Sequence, residues 1–231
     1  MPLVEHLAEL RRRLIIAIIA VVAGAIVAFA LYNRILEAMI GPYTDITGKT
    51  DLIITDPLEG FSTRLKIALF GGLALASPVV LWQMWRFITP GLNKNEKRYA
   101  IPFIASSILL FLLGCTIAVV TFPQALRFLI GVGGPNLDPF FTPSKYLSLI
   151  VLMMAAFGVA FEFPILLVFL QLAGVLESAQ LRKWRRPALV IIVAFAAIIT
   201  PSQDPISLFA MAVPMYLFYE LAILVGRLLK K

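Results

Sequence analysis

Four carboxylates sit where a carboxylate is costly or conspicuous. Glu162 interrupts MMAAFGVAFEFPILLVFL, Met153 to Leu170, which is otherwise apolar, and Pro164 follows two positions later. An ionisable group at that depth usually faces a bundle interior or a wet cavity, where it can exchange a proton, hold a cation or meet a ligand. The competing reading is a structural carboxylate hydrogen-bonded between helices. Glu9 in VEHLAELRRRL and Glu96 in FITPGLNKNEKRY stand among arginines and lysines. Each can bind a cation, or be used locally. Glu9 has Arg13 at i+4, and Glu96 has the capping-box spacing from Asn93. Asp204 lies in TPSQDP with Thr200 and Gln203 beside it, which suits either a polar docking point or a turn between two helices.

Other chemistries are poorly supplied. His6 is the one histidine, so neither a histidine metal cluster nor a Ser-His-Asp triad can be assembled. Gly48-Lys49-Thr50 is not a phosphate-binding loop, because Tyr43 occupies the position of the required glycine. The single cysteine, Cys115, lies inside an apolar run and reads as a packing residue. We expect no enzyme activity, no metal and no cofactor.

The elements that position these acids follow from composition. The 231-residue chain is 61% hydrophobic and 14% charged, against about 25% charged in a soluble domain. Six apolar segments are expected as membrane spans, near residues 14–33, 67–85, 99–126, 146–176, 187–203 and 205–226. Backbone groups in lipid must be satisfied within each segment, so the spans are helices, and the alternation of barrel strands is absent. The fold class is all-α, a polytopic membrane protein whose residues 1–231 form one membrane-embedded six-helix domain. The apolar run from Leu14 to about Leu31 is too long for a cleavable signal peptide.

Charge sets the orientation. Of the 20 basic residues, 14 fall at the two termini and in the connections on their side, so both termini are expected in the cytoplasm. The +7 net charge therefore reports membrane orientation rather than nucleic acid. The first outer connection, Arg34–Lys66, is long and turn-rich and is expected to hold a short helix or two. The last, TPSQDP, is very tight. The fifth and sixth spans are expected to be short. Uninterrupted apolar sequence in the fifth is Ala188–Ile199, about 18 Å of helix against a hydrocarbon core of about 30 Å. Glu220 shortens the apolar length of the sixth from its cytoplasmic end.

These motifs, taken in order, resemble the TatC family, receptor subunits of the twin-arginine protein translocase. HLAELRRRL is similar to its N-terminal signature, WRFITPGLNKNEKR to its first cytoplasmic loop and GVAFEFP to its fourth-helix motif. The outer turn departs from the pattern, with TPSQD where TPPD is common. The resemblance covers essentially the whole chain. It implies signal-peptide binding by Glu9, Arg11, Arg13, Phe87, Pro90 and Glu96. It also implies single-span TatA and TatB partners, folded cargo, proton-motive force and a place in the cytoplasmic (inner) membrane, with self-association in a larger complex.

The chemistry suits that role, because two guanidinium forks want carboxylates that accept bidentate hydrogen bonds. Glu162 is expected to face a lipid-accessible groove that water can reach. Thr200, Gln203 and Asp204 are expected at an edge where a partner helix docks. The alternative is a proton- or cation-coupled secondary transporter using Glu162. Such proteins often show broken helices in paired halves, and no second half is visible here.

Overall fold

The computed structural model describes residues 3–48, 52–88, 100–134 and 140–228. These contain nine helices and no strand. The described residues divide into two compact units, one within Met1–Pro90 and Pro139–Val151, the other within Gly91–Asp138 and Leu152–Lys231. Five helical stretches are long and apolar enough to cross a membrane: Glu5–Ala30, Glu59–Ile88, Ile101–Gly133, Pro143–Leu172 and Pro205–Leu228.

In the first unit, α1 (Leu3–Ala30) packs along α3 (Glu59–Ile88). Small residues make the approach possible. A Cβ added at Gly72 would come within 2.4 Å of the Ala25 backbone nitrogen, and one at Gly24 within 2.6 Å of the Gly72 carbonyl oxygen. In lipid, where apolar surface gains little from burial against a neighbour, such close backbone contact is a main source of helix adhesion.

Between them lies α2 (Tyr32–Thr47), a single 16-residue helix. It is one of the short helices expected in the Arg34–Lys66 connection, and the turn-formers of GPYTD, Gly41–Asp45, lie inside it with Pro42 in the helix interior. The helix ends instead at Gly48, whose φ of +66° supplies the left-handed cap. Buried Tyr43 sits edge-on to Tyr146, whose hydroxyl donates to the Met39 carbonyl at 2.8 Å. Glu59 accepts from the Thr55 backbone N–H at 3.0 Å and the Ser144 N–H at 3.3 Å. The Lys66 ammonium reaches the Ser144 and Ser148 hydroxyls. These bonds tie the outer connection to the start of α5 (Pro143–Ala160).

In the second unit, α4 (Ala100–Gly133) continues through Pro123 well past the expected end at 126. It meets α5 at Gly114, where a Cβ would lie 2.6 Å from the Phe157 carbonyl oxygen. α6 (Phe163–Leu172), α7 (Ser178–Lys183), α8 (Arg185–Ile199) and α9 (Pro205–Leu228) complete the unit. Buried Gln171 donates to the Ala222 carbonyl at 3.1 Å and accepts from the Ser178 hydroxyl at 2.8 Å, joining α6, α7 and α9. Gly226 leaves room for this knot.

The expected fifth span is α8. Its 15 residues cover about 22 Å, short of a bilayer's hydrocarbon core. α9 has 24 residues and is long enough to cross. What is short there is its uncharged stretch, which ends before Glu220.

Candidate functional site

Glu9 and Arg13 lie one turn apart on α1. Arg13 Nε donates to Glu9 Oε1 at 3.0 Å, and its Nη2 donates to the same oxygen. The second oxygen, Oε2, accepts no hydrogen bond among the described residues, and the Glu9 side chain stays 25% exposed. The expected local pairing is thus present, yet it uses only half of the carboxylate. One turn earlier, His6 stacks on Phe87 of α3 with ring centroids 4.5 Å apart. Arg86 lies within electrostatic range of Glu9. Arg11 and Arg12 point to the exposed surface, while Arg13 is half-buried. This end of the α1–α3 pair therefore gathers Glu9, Arg13, His6 and Phe87. Pro90 and Glu96, expected in the same patch, lie outside the described residues.

Glu162 sits where the helix breaks. Pro164 has no N–H for the Ala160 carbonyl. Around it, the Glu162 N–H turns back to Val159 at 3.1 Å, and Leu166 N–H resumes the ladder at the Glu162 carbonyl. α5 ends at Ala160 and α6 starts at Phe163. The Glu162 side chain is neither buried nor fully exposed. Its Oε2 accepts from the fully buried Ser107 hydroxyl of α4 at 2.6 Å. The carboxylate is thus anchored to a neighbouring helix, a partner that the apolar pattern around Ser107 did not announce.

The turn between α8 and α9 is built differently. Asp204 is fully buried. Its Oδ1 accepts from the Ser207 backbone N–H at 2.7 Å, and its Oδ2 accepts from the Ser202 hydroxyl at 2.5 Å. It is the N-cap of α9, with Pro205 at the first helical position. Thr200 is buried and donates its hydroxyl to the Ala196 carbonyl at 2.6 Å. Gln203 holds a left-handed φ of +48° that puts its side chain at the surface. Of the three residues expected to dock a partner, Gln203 alone presents itself outward; Thr200 and Asp204 spend their polar atoms inside the turn.

Sequence reasoning passed over three polar residues inside helices: Ser107, Gln171 and Ser178. The signal for Ser107 and Gln171 was a polar residue within an apolar run, the same kind of signal that picked out Glu162, whereas Ser178, among Glu177, Gln180 and Arg182, had none. That signal was weaker because Ser and Gln carry no charge.

An all-helical, multi-pass membrane protein, with one partly exposed carboxylate at the end of a helix pair and another at a helix break, is suited to binding and transport. The Sec-independent protein translocase protein (TatC) family matches residues 5–214. TatC of Aquifex aeolicus is 42% identical over 231 residues, covering 99% of this chain and 95% of that one. TatC of Frankia casuarinae is 39% identical over 238 residues, covering 98% of this chain and 65% of that longer protein. A crystal structure of a twin-arginine translocase receptor, TatC, in the detergent DDM superposes with a TM-score of 0.79 at 41% identity. It covers 96% of this chain and 99% of that one. The chain belongs to the TatC family of Sec-independent protein translocase subunits, and its role is in transport.

Proposed function

We propose that this protein is the receptor for signal peptides bearing paired arginines, and the core subunit of a translocase that exports folded proteins. The observation that carries this reading is the second oxygen of Glu9, which accepts no hydrogen bond among the described residues. Arg13 fixes the carboxylate through Oε1, and Oε2 is the oxygen we assign to a peptide guanidinium. An arginine fork meeting a carboxylate already oriented loses less freedom than one meeting a mobile side chain. Glu96, from the neighbouring basic connection, supplies the second carboxylate, and Arg11, Phe87 and Pro90 complete the patch. The two termini and the peptide site face the cytoplasm from a cytoplasmic (inner) membrane. We read residues 1–231 as one membrane-embedded six-helix domain.

Proton-motive force drives transport. Single-span TatA and TatB subunits dock near the short α8, where Gln203 is presented at the outer turn. A helix of about 22 Å thins the bilayer locally or draws in a neighbour, at a fraction of a kcal/mol per Å, so this edge favours a partner helix. The copies associate with one another in the larger complex. The relatives' place among protein translocase subunits weighs against the secondary-transporter reading of Glu162.

The test is binding of a purified twin-arginine peptide against its twin-lysine version. A charge-assisted bond of about 1.5–3 kcal/mol is worth roughly tenfold or more in affinity. Glu9→Ala and Glu96→Ala should each reduce peptide crosslinking in membranes. Normal crosslinking in the double variant, at normal expression, would sink the proposal.

A further inference from the structure

The cytoplasmic half of α9 carries a stripe that the peptide-receptor reading does not use. Leu217, Leu221 and Leu224 recur at i, i+4 and i+7, and Arg227 follows three residues later on the same face. All three leucines are at least half exposed. With Arg185 and Glu220 they line a groove of about 500 Å³. It is lined largely by apolar side chains, with Arg185 held beside Glu220 part-way along it and Arg227 at its end.

The charges there do not cancel. Arg185 Nη2 donates to Glu220 Oε2 at 2.5 Å, while the Arg185 side chain remains 43% exposed. The Tyr216 hydroxyl donates to the other Glu220 oxygen at 3.3 Å. Glu220 is therefore satisfied, and Arg185 keeps donors for a further acceptor. Arg227 makes no ion pair among the described residues and is exposed. Trp184, at the junction of α7 and α8, is 59% exposed, and tryptophan favours the headgroup level of a bilayer.

We propose that this groove binds one anionic phospholipid. Its phosphodiester sits between Arg185 and Arg227, and an acyl chain lies along Leu217, Leu221 and Leu224. Two arguments choose a lipid over free phosphate. The leucine stripe offers nothing to a soluble anion. The ten residues from Leu217 to Arg227 also span about 15 Å, one leaflet of a hydrocarbon core about 30 Å thick. A zwitterionic lipid fits less well, because its ammonium would be brought against the arginines.

The test counts lipids held by the purified full-length chain, using native mass spectrometry after exchange into mixed phosphatidylglycerol and phosphatidylcholine. One phosphatidylglycerol should be retained in preference to phosphatidylcholine. Retention should fall about fivefold in Arg227→Gln, the usual worth of one basic residue at an anionic surface. It should be unchanged in Arg34→Gln, an exposed arginine of α2. Leu221→Ser leaves both arginines in place and should also weaken retention, so the proposal stays testable if Arg227→Gln does not fold. Glycerol phosphate, which lacks acyl chains, should not displace the lipid at matched concentration. Equal retention of the two lipids, full retention in Arg227→Gln or in Leu221→Ser, or displacement by glycerol phosphate would each overturn it.

Discussion

Glu9 lies in the second turn of α1 and Asp204 caps α9, and the two carboxylates are wired in opposite ways. Asp204 is fully buried, and each of its oxygens accepts a bond from within its own turn. Glu9 is partly exposed and receives both bonds of its neighbour on a single oxygen. A carboxylate with both oxygens committed holds a fold and has nothing left for a ligand. One with a single oxygen committed is oriented and still able to accept. Under the proposed function, the contrast distinguishes an acid built into the fold from one that binds peptide.

The largest effect should come from breaking the committed acid. Asp204→Ala removes the α9 cap, worth about 0.5–2 kcal/mol. It also strands the Ser202 hydroxyl without an acceptor, at about 1–3 kcal/mol more. We expect a lowered thermal midpoint in detergent and reduced accumulation, while peptide affinity per folded molecule stays unchanged. Loss of affinity without loss of stability would reverse the assignment of Asp204 as structural.

Glu9→Gln should do the converse. Its pair with Arg13 is a partly exposed i,i+4 contact within one helix, of a kind worth about 0.2–0.5 kcal/mol, so the thermal midpoint should scarcely move. Affinity for a twin-arginine peptide should fall by about 1.5–3 kcal/mol, measured by titration on the purified protein. A stability loss as large as that of Asp204→Ala would mean that Glu9 too is built into the fold.

Glu162 lies between these cases. One oxygen is held by Ser107, and the side chain is partly accessible. Glu162→Gln keeps an acceptor for Ser107, whereas Glu162→Leu leaves that buried hydroxyl unpaired at about 1–3 kcal/mol. Gln should therefore accumulate and melt nearly as the unaltered chain does, with Leu clearly weaker. Equal behaviour of the two would show that the Ser107 bond contributes nothing.

Hydropathy located the spans because a bilayer imposes length and apolarity on every crossing helix, and the short α8 was legible from Ala188–Ile199 for the same reason. Pro164 announced the break beside Glu162 through its missing N–H. What stayed hidden depends on residues far apart in sequence. Nothing local to Ser107 indicates a carboxylate 55 positions later, and Gln171 gives no sign of the Ala222 carbonyl 51 positions on. A short helix was expected in the Arg34–Lys66 connection, but local propensity in GPYTD gave no sign that the helix would run through it. Packing of Tyr43 against Tyr146, and the cap at Gly48, instead hold α2 as one helix. At the candidate site, Glu9 and Arg13 were legible from their i,i+4 spacing, but not that both bonds would fall on one oxygen.

That last detail yields the smallest effect and the finest test. If Arg13 competed with the peptide for Glu9, its removal would free the carboxylate and raise affinity. If it orients Glu9, removal releases the side chain into other rotamers, and the peptide must then restrict it at its own expense. Both Arg13 bonds go to Oε1, so the oxygen offered to the peptide is not the one Arg13 occupies, and orientation is the role the geometry supports. Arg13→Gln should therefore lower peptide affinity by roughly twofold, matching a helical i,i+4 pair of about 0.2–0.5 kcal/mol, and leave the thermal midpoint nearly unmoved. Arg13→Lys should recover only part of the loss, because a point ammonium fixes a carboxylate less firmly than a planar fork. Titration of the same twin-arginine peptide against the three proteins, side by side at one ionic strength, measures this. An affinity that rises in Arg13→Gln would make Arg13 a competitor of the peptide, and Glu9 a carboxylate that must first be vacated.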